Sequence, residues 1–176
     1  RLVLVSSGGL GREVGALLRT LSLPGAEVVL AVACSTTLRQ ASDTMIGWAG
    51  RAGFRPGPVL AEIRRAWASL SDAPTRRAFL RTLRAVVDQR GQSVSATDRL
   101  YLAAHMPTML IWGEKDTLIP VSHAVGAHRA IPGSRLVIFE DSGHFPHCED
   151  PVRFAQTLID FIDALLQGLF GIKPDW

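Results

Sequence analysis

Thr108-Met-Leu-Ile-Trp112-Gly-Glu-Lys-Asp116-Thr-Leu-Ile-Pro120 decides the fold. Its first five residues are an apolar run with no polar alternation, the signature of a strand covered on both faces, as in a parallel sheet. Two further runs, Leu2 to Val5 and Arg135 to Phe139, have the same character. Between the second and third runs, Pro120 to Ile131 is long enough for a crossover helix, so these two strands are expected to pair in parallel.

Outward from this centre, Glu149-Asp150-Pro151 reads as a helix start, with Asp150 as N-cap and Pro151 in the first helical position. Phe154, Leu158, Ile162, Leu165 and Leu169 then recur at helical spacing, a stripe to lay on the sheet. Gly168 and Gly171 punctuate a tail that ends in Pro174-Asp175-Trp176. The roughly hundred residues between the first and second strands far exceed a simple crossover. They read as helical throughout, with Ser71-Asp72-Ala-Pro74 capping a helix that runs to Gly91. Trp48 and Trp67 lie in this insertion and are assigned to packing within it, with the lining of an apolar acyl pocket as the alternative. A covered-type strand at residue 1 with nothing before it, in a sheet of three, implies neighbouring strands in a longer parent.

Composition excludes several classes. The chain of 176 residues is 47% hydrophobic and 20% charged, within the ordinary globular range. No apolar run approaches the roughly 18 residues of a transmembrane helix, and no secretory signal opens the chain. Cys34 and Cys148 are too few for a disulfide framework, so a reducing, cytoplasmic location is expected. Eleven arginines face five acids between Arg39 and Arg99, and these are read as a solvated helical face. They are not interleaved with aromatics, and no nucleic-acid partner is expected.

In an open parallel sheet, functional groups gather beyond the carboxyl ends of the strands. The second strand runs into Asp116 and the third into Ser142-Gly-His144. Neighbouring strands lie roughly 5 Å apart, which puts the two side chains within hydrogen-bonding reach. A carboxylate on one imidazole nitrogen fixes the tautomer and leaves the other nitrogen as a general base. Asp116 and His144 are therefore the candidate catalytic residues. His144, His147 and Cys148 lack a standard zinc spacing, so neither a metal nor another cofactor is expected. His123 and His128 are expected on the surface of the crossover helix, and Ser6 and Ser7 are expected to line the crevice or cap the turn after the first strand.

The segment Met106 to Ala124 resembles the acid-bearing strand and turn of the α/β-hydrolase superfamily, and Ser142-Gly-His144-Phe-Pro to Phe154 resembles its histidine loop and final helix. Arg1 to Gly9 is similar to the strand that follows the nucleophile's strand and helix. The resemblance implies the C-terminal part of an α/β-hydrolase parallel sheet of three strands, with flanking helices and an inserted helical cap. Residues 1–9 and 106–168 would form the partial core, 10–105 the cap, and 169–176 a tail. By the same resemblance Asp116 matches the triad acid, in preference to Glu114, and His144 the base. The third member would be a Ser in a Gly-x-Ser-x-Gly elbow. That motif is absent from the sequence, and its nearest approach, Gly91-Gln-Ser93-Val-Ser95, lacks the second glycine.

The implied activity is hydrolysis of a small or medium apolar ester, or of a related carbon–carbon bond, with the nucleophile expected upstream of residue 1 and the chain inactive alone. One alternative is a non-catalytic remnant or half-protein needing a complementing chain, which would associate through the unpaired edge of its first strand. Another is a dehalogenase, epoxide hydrolase or cofactor-free peroxidase of the same fold. Tyr101, the only tyrosine, argues against the epoxide branch, whose caps usually carry a pair.

Overall fold

The computed structural model describes residues 1–170. Leu169 and the glycine-punctuated tail fall wholly or partly outside the residues whose side chains are described. In chain order the elements are β1 (Leu2–Val5), α1 (Ala16–Ser22), α2 (Ala26–Ala33), α3 (Thr36–Arg51), α4 (Pro58–Leu70), α5 (Ala73–Val86), β2 (Val87–Asp88), β3 (Gly91–Gln92), β4 (Thr108–Gly113), α6 (Ser122–Ala130), β5 (Arg135–Phe139), α7 (Pro146–Glu149) and α8 (Pro151–Phe170), with a 3-10 helix at Thr97–Ala103 before β4. They group into two compact units, Arg1–Glu13 with the chain from Ser95 onward, and Val14–Val94.

The first unit is built on a parallel sheet in the order β1-β4-β5. Its central strand, β4, is buried at every position. Strand alternation sends Leu110 and Trp112 to one face, where they pack with Leu10, Leu100, Ala103, Ala124, Ala127 and Ile131. Met109 and Ile111 go to the other face, against Phe139, Phe154, Leu158, Phe161 and Leu165. An apolar run without alternation is thus what a strand between two helical layers requires.

The crossover helix α6 and the N-cap of α8 form as expected, Asp150 Oδ1 accepting from the Arg153 amide at 3.1 Å. The stripe of α8 forms with Phe154, Leu158 and Leu165 as expected and departs at one position. Phe161 is buried and Ile162 is 46% exposed, because the larger ring fills the space beside Phe139. His123 also departs from expectation. It is only 5% exposed, with its ring pressed on Gly11, where an added Cβ would fall 2.5 Å from it.

The second unit is helical but carries a small hairpin, since α5 ends at Val86 and β2 pairs antiparallel with β3. Gly91, at φ 119°, lies in that hairpin, which stops the helix short of its expected end. The Asp72 cap forms as expected, with its carboxylate accepting from the Thr75 amide at 2.8 Å. Two arginines expected to be merely solvated are clamps. Arg84 donates to the carbonyls of Ser22 and Leu23 at 3.1 and 2.8 Å and pairs with Glu27, whose carboxyl it holds down to about 2. Arg76 donates to the carbonyl of Leu70 at 2.9 Å. Trp67 packs against the core of this unit and donates to the Ala33 carbonyl at 2.8 Å, whereas Trp48 is 69% exposed.

Two consequences can be measured. A Cβ at Gly113 would lie 1.9 Å from the Gly143 carbonyl oxygen and 2.4 Å from that of Ser142, and both are backbone atoms that cannot swing aside. Gly113→Ala should therefore lower stability by about 3 kcal/mol or more, at the top of the overpacking range, read as a shift of the urea midpoint.

The second concerns His123. Burial holds its imidazole below the ordinary value, against weaker upward pulls from Glu13 and Asp116. On acidification the unfolded chain takes up a proton there at about pH 6.5, before the folded chain can. Stability attributable to His123 is present above that pH and is lost as pH falls through the window below it. Urea midpoints at pH 7.5 and 5.5 should differ less in His123→Phe than in the unaltered chain.

Candidate active site

The acid loop is set by β4 itself. Trp112, fully buried, donates its indole N–H to the Ile119 carbonyl at 2.9 Å and draws the loop back over the strand end. Within the turn, Asp116 Oδ1 accepts from the amides of Leu118 and Ile119 at 2.8 and 2.9 Å. An aspartate bonding two and three residues ahead is a local turn device. Here it also fixes the direction of the second oxygen.

That second oxygen meets the other loop, as His144 Nδ1 lies 2.8 Å from Asp116 Oδ2. A carboxylate only accepts, so Nδ1 carries the proton and Nε2 is left as the acceptor. The Asp116 side chain is fully buried, while that of His144 is 25% exposed. Glu114 is exposed and does not enter this contact. Parallel pairing of β4 with β5 brings the loops together, and two backbone bonds extend the contact past the strands. Glu114 N–H donates to the Phe139 carbonyl at 2.9 Å and Lys115 N–H to the Ser142 carbonyl at 3.0 Å. A surface pair, Lys115 with Asp141 at 2.8 Å, joins the same loops.

Glu149 is the residue that sequence reasoning passed over as a helix flank. Its carboxylate accepts from the Gly143 amide at 3.0 Å and from the Phe145 amide at 3.3 Å, on either side of His144. The available signal was a carboxylate four residues after Phe145, the N-cap of α7, one position beyond the glutamate of a capping box.

The remaining candidates lie elsewhere or are otherwise engaged. Ser7 donates to the Val5 carbonyl at 3.3 Å. Ser6, at the end of β1, has a φ of 43° and a buried hydroxyl without a hydrogen-bond partner among the described residues. Ser93 donates to the Ala85 carbonyl at 3.3 Å in the hairpin. His128 faces Ser134 at 2.8 Å, and Tyr101 is 68% exposed. His147 is exposed and its ring stands edge-on to Phe145. No single helix among the described residues is long and apolar enough to cross a membrane.

Residues 37–151 match the sequence model of the alpha/beta hydrolase fold. An uncharacterized protein of Mycobacterium tuberculosis is 43% identical over 168 residues, covering 93% of this chain and 49% of that protein. The chain thus spans about half the length of the curated relatives it matches over most of its length. Among solved structures, a meta-cleavage product hydrolase from Pseudomonas fluorescens is similar with a TM-score of 0.57 at 17% identity, over 94% of this chain and 56% of that one. A thermophilic esterase from Thermogutta terrifontis is similar with a TM-score of 0.56 at 22% identity, over 93% and 55%. A three-stranded parallel sheet with flanking helices, the family match over 37–151 and these likenesses agree, and the chain belongs to the alpha/beta hydrolase fold family.

Proposed function

We propose that Asp116 and His144 are the acid and base of a catalytic triad whose serine nucleophile is carried by a segment outside these 176 residues. The reaction is hydrolysis of a small or medium apolar ester, or of a related carbon–carbon bond. The observation that carries the proposal is the 2.8 Å contact of His144 Nδ1 with Asp116 at the carboxyl ends of adjacent parallel strands. Support for the reaction class comes from two structural neighbours, one named an esterase and the other a meta-cleavage product hydrolase.

In this mechanism His144 Nε2 takes the hydroxyl proton as the nucleophile attacks, and returns it to the leaving group. Asp116 keeps the ring in the required tautomer and stabilises the imidazolium. Its other oxygen is already occupied by the amides of Leu118 and Ile119, so the carboxylate cannot rotate away without losing two hydrogen bonds. In this reading the Val14–Val94 unit, inserted in the chain between β1 and β4, is the helical cap that the family resemblance implies. Its α2 leaves Val28, Val29 and Val32 each more than 60% exposed. Both cysteines are free, in keeping with a cytoplasmic protein.

A second proposal rests on the sheet. Among the described residues, β1 pairs only with β4, and its Val3 is 36% exposed. The 176-residue chain is then a half-protein that associates through this edge.

Two measurements follow. The chain alone should not hydrolyse p-nitrophenyl esters, whereas a form extended to include a Gly-x-Ser-x-Gly elbow should. In the extended form Asp116→Asn should reduce kcat by about ten-thousand-fold and His144→Ala by at least as much. An extended form that contains the elbow and is inactive would count against the hydrolase proposal. In sedimentation velocity the chain alone should self-associate with rising concentration, and Val3→Lys should abolish this. A monomer at all concentrations would refute the edge proposal.

A further inference from the structure

His144 stands between two amides that donate to the same carboxylate. The Gly143 N–H lies 3.0 Å from each oxygen of Glu149, and the Phe145 N–H lies 3.3 Å from Oε1. The bonding is reciprocal, since the Glu149 amide donates to the Phe145 carbonyl at 3.0 Å. Amides in a loop have no ladder or helix to satisfy them. A charged acceptor holds them more firmly than a neutral one would.

The ring needs such an anchor. With a quarter of its side chain exposed, His144 is not fixed by burial, and its direction depends on the backbone at 143–145. On the other side of the loop, the Ser142 carbonyl accepts from Lys115 N–H at 3.0 Å. The loop is therefore tethered at two points, one on the acid's turn and one on Glu149, with His144 on the span between Ser142 and Phe145.

We infer that Glu149 is a positioning residue, which aims the His144 ring at Asp116 through the backbone amides of Gly143 and Phe145. Glu149 makes no hydrogen bond to the ring or to Asp116, so it acts only through the loop. A carboxylate lowers the freedom of the loop without adding a group to the reaction. The catalytic meaning of this role rests on the hydrolase proposal, but the role itself is one of geometry.

The test uses the 176-residue chain, labelled with 15N, and needs no turnover. In Glu149→Ala the amides of Gly143 and Phe145 should exchange with solvent at least about tenfold faster. The downfield His144 ring N–H resonance should move upfield or broaden, while the amides of β4 and β5 keep their protection. Glu149→Gln, which retains one acceptor oxygen, should fall between, and it carries the comparison if the alanine variant does not fold. Unchanged exchange and an unchanged ring resonance would overturn the assignment. So would an equal loss of protection across the whole sheet, which would make Glu149 a general support of the fold. If the extended protein proved inactive while Glu149→Ala still released the ring, the hydrolase proposal would fall and the positioning role would stand.

Discussion

The carbonyl oxygens of Ser142 and Gly143 occupy the space that a side chain at residue 113 would need. This backbone-to-backbone approach is the constraint on which the site depends. It lets the histidine loop settle on the end of β4, so that Lys115 N–H reaches the Ser142 carbonyl and the ladder between β4 and β5 continues beyond the strands. With the loops in contact, a short side chain such as aspartate spans the remaining gap to the imidazole. A methyl group at 113 would push the loops apart by roughly 1–1.5 Å, enough to break a hydrogen bond between them.

Much of this was legible in the sequence because parallel sheets announce themselves by composition. The three strands and the crossover helix follow from apolar runs and their spacing, and the parallel pairing of β4 with β5 follows from the length of chain between them. Asp116 and His144 could be brought together because both lie just past the ends of strands expected to be neighbours. What stayed hidden depends on three-dimensional accommodation. Periodicity placed Ile162 in the stripe of α8, and the structure buries Phe161 instead, because a ring fills the space beside Phe139 better than a branched chain one position away. His123 looked like a surface histidine from its polarity. Its burial depends on Gly11, a residue more than a hundred positions earlier that yields its side-chain volume to the ring. Arg84 and Arg76 looked like solvated charge, but the carbonyls left open where neighbouring helices end give their guanidinium groups specific work.

The hairpin at Val87–Gln92 was hidden for a different reason. Its strands are two residues each, too short to show alternation, and they follow directly on a strongly amphipathic helix. Gly91 was read there as the end of a helix, although a left-handed glycine serves a tight hairpin equally well.

The two glycines near the Asp116–His144 pair are not equivalent, and the difference shows how the candidate site is held. At Gly143 an added Cβ would meet Glu149 Oε1 at 3.5 Å and the Lys115 carbonyl at 3.8 Å, ordinary contact distances, whereas at Gly113 it would collide with main chain. The histidine loop therefore has room on the side of Glu149 and none on the side of β4. Rigidity toward the acid comes from close packing of backbone, which no rotamer can relieve, and rigidity toward α7 comes from hydrogen bonds to a flexible carboxylate. The first fixes how near the two loops can stand, and the second fixes how the ring is turned once they are there. A contact of 2.8 Å between Asp116 and His144 needs both, because distance without orientation leaves the ring proton pointing away from its acceptor.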